Sequence, residues 1–164
     1  MEETVKTYMA MQPLIANGKA RAIGVSNFNA TFLEQFLAQD GISDAPPSIN
    51  QCGYSIHGHG GNGGAVTPLG RDTATRDACR RNNVTYSAYS PLGGLSHIDL
   101  FHNPTVLAVA SAHNKSAAQI ALRWVVQQGV PAVTASTVAE YDKTDLDIFD
   151  FVLTSDEMDA LSEV

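Results

Sequence analysis

Apolar positions along the chain recur in two alternating rhythms, one helical and one extended. Over residues 2–17, Val5, Tyr8, Met9, Leu14 and Ile15 fall near one helical face, and Gly18 follows as a stop. Ala22-Ile23-Gly24-Val25 is a short apolar run, the form of a strand buried on both faces. Asn29 is a candidate cap for a helix over 30–40, where Phe32/Phe36 and Leu33/Leu37 pair at helical spacing and Gly41 ends the run. A second strand is predicted over 48–54 after Pro46-Pro47, then a more polar helix over 70–82. Residues 84–89 alternate and carry β-branched and aromatic side chains, which suits a third strand.

Asn103-Pro104 joins a cap residue to a proline at the first helical position and opens a helix to His113. Ser116 caps another, in which Ala117, Ala118, Ile120, Ala121, Leu122, Trp124 and Val125 are apolar almost all round. Such a helix is wedged between neighbours, and Gly129 ends it. Residues 130–134 form a fourth short strand, and Thr154-Ser155-Asp156-Glu157 is a capping box for a last helix with Met158 and Leu161 inward. The order α-β-α-β-α-β-α-α-β-α places helical crossovers between strands and predicts an α/β fold with a parallel sheet. Four strands fit either a small doubly wound sheet or half of an eight-stranded barrel, and periodicity leaves both open.

Composition narrows the function classes. With 164 residues, 44% hydrophobic and 16% charged, the chain is long enough for one globular domain with its own core. Seventeen acidic against 10 basic residues give a formal charge of −7, and no basic cluster is present. Neither a nucleic-acid backbone nor an anionic membrane is an expected partner. No apolar run approaches the ~20 residues that span a bilayer, so no membrane insertion is expected. Cys52 and Cys79 lack Cys-x-x-Cys spacing and are expected to be reduced, partly buried thiols. The opening residues show no basic segment followed by an apolar one, and a cytoplasmic location is the expectation.

Gly58-His59-Gly60-Gly61-Asn62-Gly63 matches a dinucleotide fingerprint letter for letter. That motif works only where a helix begins at its glycines, so that the helix N-terminus faces a pyrophosphate. Here the glycines run into Ala65-Val66-Thr67-Pro68, and a flexible glycine-rich insertion near 57–68 is the better account. His57 and His59 stand in the same stretch without a carboxylate or cysteine to complete a metal-ligand set, so they are expected as surface histidines and no metal site is expected.

Three other segments carry the stronger signal: Ile23-Gly24-Val25-Ser26-Asn27-Phe28, Asn50-Gln51, and Ala88-Tyr89-Ser90-Pro91-Leu92-Gly93. With Ala118-Gln119-Ile120-Ala121-Leu122-Arg123-Trp124 and Phe149-Asp150-Phe151-Val152-Leu153-Thr154 they follow one another in family order. Together they resemble the C-terminal half of an aldo-keto reductase, a truncated form of that oxidoreductase fold. The resemblance implies parallel β/α units equivalent to strands 5–8 of a TIM (β/α)8 barrel, in a single partial domain over 1–164. It implies NAD(P)H-dependent reduction of aldehydes or ketones, represented here by the cofactor-binding half.

By the same resemblance, Ser26, Asn27 and Gln51 hold the nicotinamide carboxamide, and Tyr89 stacks on its ring. Ser90 and Leu92 correspond to the loop along the pyrophosphate, and Ser136 to a serine after the eighth strand. Two departures stand out. Ala135 and Tyr141 occupy the positions of the usual Lys and Arg that pair with the 2′-phosphate of NADP, and Asp145 replaces an adenine-binding Asn. NADP(H) is the cofactor the family implies, and these losses open NAD(H). The family's Asp, Tyr, Lys and His lie on the first four strands, and none of His57, His59, His97, His102 or His113 matches them, so no catalytic residue is assigned. The alternative is a non-catalytic binding or scaffold subunit of a larger assembly. Ile23, Val25 and Ile49 are expected to face the barrel axis, with unpaired edges near 22–25 and 130–134. An N-terminal half barrel, a second copy or a larger complex would cover them.

Overall fold

The computed structural model describes residues 1–60, 66–67, 72–93 and 99–164. Two helices, α1 (Glu2–Met11) and α2 (Pro13–Ala16), open the chain. The single helix expected over 2–17 divides at Gln12, because Pro13 has no N–H to continue the ladder and starts a new helix instead. There follow β1 (Val25–Ser26), α3 (Ala30–Leu37), β2 (Ile49–Ser55), β3 (Gly58–Gly60), β4 (Val66–Thr67), α4 (Thr73–Arg81) and β5 (Thr85–Tyr89). A 3-10 turn (Leu100–His102) leads into α5 (Pro104–His113), α6 (Ala117–Gln127), β6 (Ala132–Val133), α7 (Ala139–Leu146) and α8 (Ser155–Ser162).

Strands β1, β2, β5 and β6 pair in parallel in that order. Strand order follows chain order without reversal. A doubly wound sheet needs a reversal, its helices passing to the opposite face at the switch point. The sheet is therefore one half of a (β/α)8 barrel. β1 and β6 are shorter than expected, two residues each, and among the described residues each pairs on one side only. Strand β3 pairs antiparallel with Gly53–Ser55 of β2, and β4 with β3. The glycine-rich insertion thus begins as a hairpin on the edge of β2 beyond the point where β1 ends. Gly58–Gly60 is extended rather than helix-forming, which removes the phosphate-loop geometry there. Residues 61–65 and 68–71 lie outside the described ones.

Register decides which side chains share a face. Val25, Asn50 and Tyr86 form one row, and Ser26, Gln51 and Ser87 the next. Asn50 and Tyr86 reach Cys79 and Asp72 on the helix side, so the row of Ser26, Gln51 and Ser87 faces the barrel axis. Val25 and Ile23 accordingly pack against the helix-side core, and Val25 lines a cleft with Tyr8 and Phe28. The expectation that Ile23 and Val25 face the axis is corrected. Gly24 takes the axial position, where a Cβ would collide with Ile49. The axial face is consequently more polar than an aliphatic barrel interior.

The core lies between sheet and helices. Leu33 and Phe36 of α3 are fully buried, and Asn29 caps that helix by accepting the Phe32 N–H. In α6, Ile120, Ala121, Leu122, Trp124 and Val125 are all buried, as its nearly all-round apolar pattern requires. The Trp124 ring stacks on Tyr54 at 5.3 Å, and its N–H donates to the Met158 carbonyl and Ser162 Oγ at 3.3 Å. Helix α7 was not predicted. It buries none of its residues, so it lacks the apolar stripe that would reveal it.

Two outcomes test this packing. Trp124→Ala removes the stack and both hydrogen bonds, and a loss of about 3–5 kcal/mol in urea unfolding is expected. Helix α8 provides the second. Burial raises the Glu157 carboxyl, but the Thr154 N–H, His113 and the Thr154 hydroxyl outweigh it and hold the group below its ordinary 4.5. A carboxylate depressed by folding contributes stability above its unfolded pKa and loses it as pH falls through the folded value. Wild type is expected to exceed Glu157→Gln in stability at pH 7. The gap should close as pH drops below 4.5.

Candidate functional site

Asn50 sits on β2 with no solvent exposure. Its amide donates to the Phe28 carbonyl at 2.7 Å, and its Oδ1 accepts the Phe28 N–H at 3.2 Å. Both backbone groups of Phe28 are thereby satisfied by one side chain, and the chain leaving β1 is fixed. Asn27, immediately before, takes φ +59°, a left-handed conformation that asparagine tolerates better than most residues. Its backbone N–H donates to the Gln51 carbonyl at 3.0 Å, and Ser26 Oγ donates to the same oxygen at 2.7 Å. Tyr89, at the end of β5, donates its hydroxyl to Asn27 Oδ1 at 3.1 Å. Ser26, Asn27 and Tyr89 therefore gather around the Gln51 backbone, with Ser26 and Tyr89 at the ends of β1 and β5 and Gln51 level with Ser26 in the first half of β2.

The hydrogen-bonding capacity left at that point is specific. Asn27 keeps its amide N–H groups, Ser26 Oγ keeps its lone pairs, and the Gln51 side-chain amide makes no hydrogen bond to a described residue. Donors beside acceptors, on short side chains next to the half-buried Tyr89 ring, complement a primary carboxamide attached to a planar heterocycle.

Beyond Tyr89 the chain turns at Ser90, which has φ +51° ahead of Pro91 and whose carbonyl accepts the Gly93 N–H at 3.0 Å. Ser90, Pro91, Leu92, Val133, Thr134 and Ala135 line a cavity of about 340 Å³. Leu92 and Ala135 also line a second cavity of about 640 Å³ that reaches Ser136, Tyr141 and Asp145. Sharing Leu92 and Ala135, the two cavities adjoin between the ends of β5 and β6 and α7. Ser136 accepts the Val138 N–H at 2.9 Å in the turn before α7. Burial raises the Asp145 carboxyl, Thr134 opposing it and the Asp142 charge adding to it.

Sequence reasoning missed two residues of this region. Asn50 is one: it stands in the mixed stretch Ser48-Ile49-Asn50-Gln51, where no apolar pattern marks it as buried. Gln119 shapes the groove wall: its amide donates to the Thr144 and Asp147 carbonyls at 3.2 and 2.8 Å, holding α7 against α6.

Other candidates are corrected or set aside. His57 is 1% exposed, not a surface residue, and among the described residues neither ring nitrogen has a hydrogen-bond partner. Burial pushes its imidazole pKa down, and the nearby Val164 backbone opposes that without bonding geometry. The side chains of His59 and His97 lie outside the described residues. His102 pairs with Asp99 and His113 with Glu157, both away from the strand ends. Cys52 and Cys79 are free and fully rather than partly buried. Burial, with the Asp72 charge, pushes the Cys52 thiol up to about 12, which suits packing and not nucleophilic attack. Among the described residues no group of His, Cys, Asp and Glu is arranged to hold a metal, and no helix is long and apolar enough to cross a membrane.

Known proteins resemble the chain over nearly its whole length. The profile of the Aldo/keto reductase family matches residues 1–164. A D-galacturonate reductase of Fragaria ananassa is 35% identical over 159 residues, covering 94% of this chain and 45% of that protein. The NADPH-dependent codeinone reductase of Papaver somniferum is 32% identical, covering 96% of this chain and 46% of that protein. Among solved structures, an aldo-keto reductase enzyme from a Medee basin deep-sea metagenome superimposes with a TM-score of 0.83 at 30% identity, covering 98% of this chain and 54% of that one. The chain thus spans about half the length of the relatives it matches.

The Asn50 tie yields a direct test. Asn50→Ala leaves a buried N–H and a buried carbonyl of Phe28 without partners, and a destabilisation of about 2–4 kcal/mol is expected in denaturant unfolding. A change below about 1 kcal/mol would show that the strand end is held by something else.

Proposed function

The chain belongs to the aldo/keto reductase family, and on that premise we propose that it carries the nicotinamide-dinucleotide site of an oxidoreductase that reduces aldehydes or ketones. What supports this reading is the set of hydrogen bonds joining Ser26, Asn27, Tyr89 and the Gln51 backbone, next along the chain to the cavities that Ser90, Leu92 and Ser136 line. Asn27 donates to the carboxamide oxygen, and Gln51 Oε1 and Ser26 Oγ accept from its nitrogen. Tyr89 covers one ring face, leaving the other toward the substrate. Ser90, Leu92 and Ser136 follow the diphosphate and the far ribose. A reduced nicotinamide bound there supplies a hydride to a carbonyl carbon. The proton acceptor-donor set belongs, by resemblance, to four further strands, and the single-sided pairing of β1 and β6 gives such strands a place to join. Of the partners considered, an N-terminal half barrel is favoured, since the relatives are about twice as long. The two unbridged buried thiols suit a reducing compartment, and we place the reaction in the cytoplasm.

NADP(H), the cofactor the family implies, and NAD(H) share this mode of binding and differ only at the far end of the groove.

Fluorescence titration of the 164-residue chain with reduced dinucleotide checks the reading. Saturable binding is expected, weakened about 3- to 10-fold by Tyr89→Ala and by Gln51→Ala. Steady-state assays with a small aldehyde are expected to show no turnover by this chain alone. Turnover abolished by Tyr89→Ala would mean that the proton source lies within these residues.

A further inference from the structure

The far end of the groove carries a charge pattern that discriminates between the two forms of the cofactor. With the nicotinamide end fixed at Asn27, Gln51 and Tyr89, an extended dinucleotide following Ser90–Leu92 brings its adenosine half into the 640 Å³ cavity. That cavity is walled by Leu92, Phe101 and Tyr141 and carries two carboxylates, Glu140 and Asp145. None of its lining residues is a lysine or arginine.

The cations nearby in sequence are otherwise engaged or absent from the wall. Lys115, just before α6, is bonded to Asp147 at 2.9 Å and Asp150 at 2.8 Å. Arg123 donates to the Ile148 carbonyl at 3.0 Å and to Gln127. Lys143 of α7 does not line the cavity. Residues 94–98, Gly-Leu-Ser-His-Ile, contain no lysine or arginine in their sequence. The first turn of α6 at Ser116–Ala118 offers about half a positive charge, which two full negative charges outweigh. A phosphate monoester placed here would meet carboxylates without a balancing cation. A ribose with both hydroxyls free would instead donate to them.

We propose that Asp145 and Glu140 are specificity-determining residues that select a cofactor with a free 2′,3′-diol, making this chain a binder of NAD(H) in preference to NADP(H). The selection rests on the groove being the dinucleotide site. Tyr141, 62% exposed on a helix that buries no residue, closes the cavity as an uncharged wall. Burial raises the Asp145 carboxyl, and a phosphate dianion beside it in the cavity would add like-charge repulsion.

Dissociation constants of the 164-residue chain for NADH and NADPH, measured side by side at low salt, decide it. NADH is expected to bind at least about tenfold more tightly, a difference of about 1.4 kcal/mol. The double variant Ala135→Lys, Tyr141→Arg should shift the NADPH-to-NADH affinity ratio toward NADPH by about tenfold or more. Both positions are exposed, and circular dichroism checks that the fold is kept. Asp145→Asn should narrow the preference by itself. Equal affinity for the two cofactors, or tighter NADPH binding, would overturn the selection while leaving the groove as a dinucleotide site. Failure of either cofactor to bind would overturn the groove reading and the selection with it.

Discussion

The candidate site depends on one buried side chain that is not expected to touch a ligand. Asn50 pairs its amide with both backbone groups of Phe28, and those two hydrogen bonds fix the direction in which the chain leaves β1. Asn27 is held left-handed as a result, with its side chain within reach of Tyr89 two strands away. A buried amide left unpaired costs more than a paired one contributes, so the register of Ser26 with Gln51 and the turn after it form or fail together. Three strand ends then act as one platform. An apolar residue at position 50 could pack against Cys79, but it would leave Phe28 to find other partners.

Strand order supplies the second constraint. Because β1, β2, β5 and β6 lie in chain order, each crossover returns to the helix side and each strand points its C-terminal end at the same mouth. Ser26 and Tyr89 arrive there without a long loop to place them, and Gln51 lies level with Ser26 on β2. Ser90 turns the chain along the mouth, and α7 closes the far end of the groove against the N-terminus of α6 through Gln119. Ser26 and Gln51 make the axial face less costly to leave facing water than a barrel interior of aliphatic side chains, while Ser87 in the same row is buried with its hydroxyl donated to the Pro131 carbonyl.

Much of this was legible in the sequence, for identifiable reasons. Caps at Asn29, Asn103, Ser116 and Thr154 are local chemistry, and each accepts the backbone N–H its position requires. The all-round apolar pattern of residues 117–125 announced a wedged helix, and Trp124 is indeed enclosed. What stayed hidden depended on register or on absent patterning. Parity in a two-residue strand is set by its neighbour, so Val25 could not be assigned to a face before its pairing with Asn50 was known. Helix α7 has no apolar stripe, and the hairpin of Gly58–Gly60 with Val66–Thr67 has glycines where strand formers would signal extension. His57, beside those glycines, read as a surface residue and is buried. The site residues themselves became readable only jointly, through their order along successive strand ends.

The central claim is that one groove, from the strand ends to α7, receives an extended dinucleotide. Backbone amide NMR of the isotope-labelled chain during titration with NADH tests it without recourse to activity. Shift changes confined to Asn27, Gln51, Tyr89 and Leu92, continuing through Ser136 to Tyr141 and Asp145, are the predicted result. Changes centred instead on the separate cleft of about 500 Å³ between α4 and the end of α6, at Arg76, Arg80 and Gln128, would contradict it.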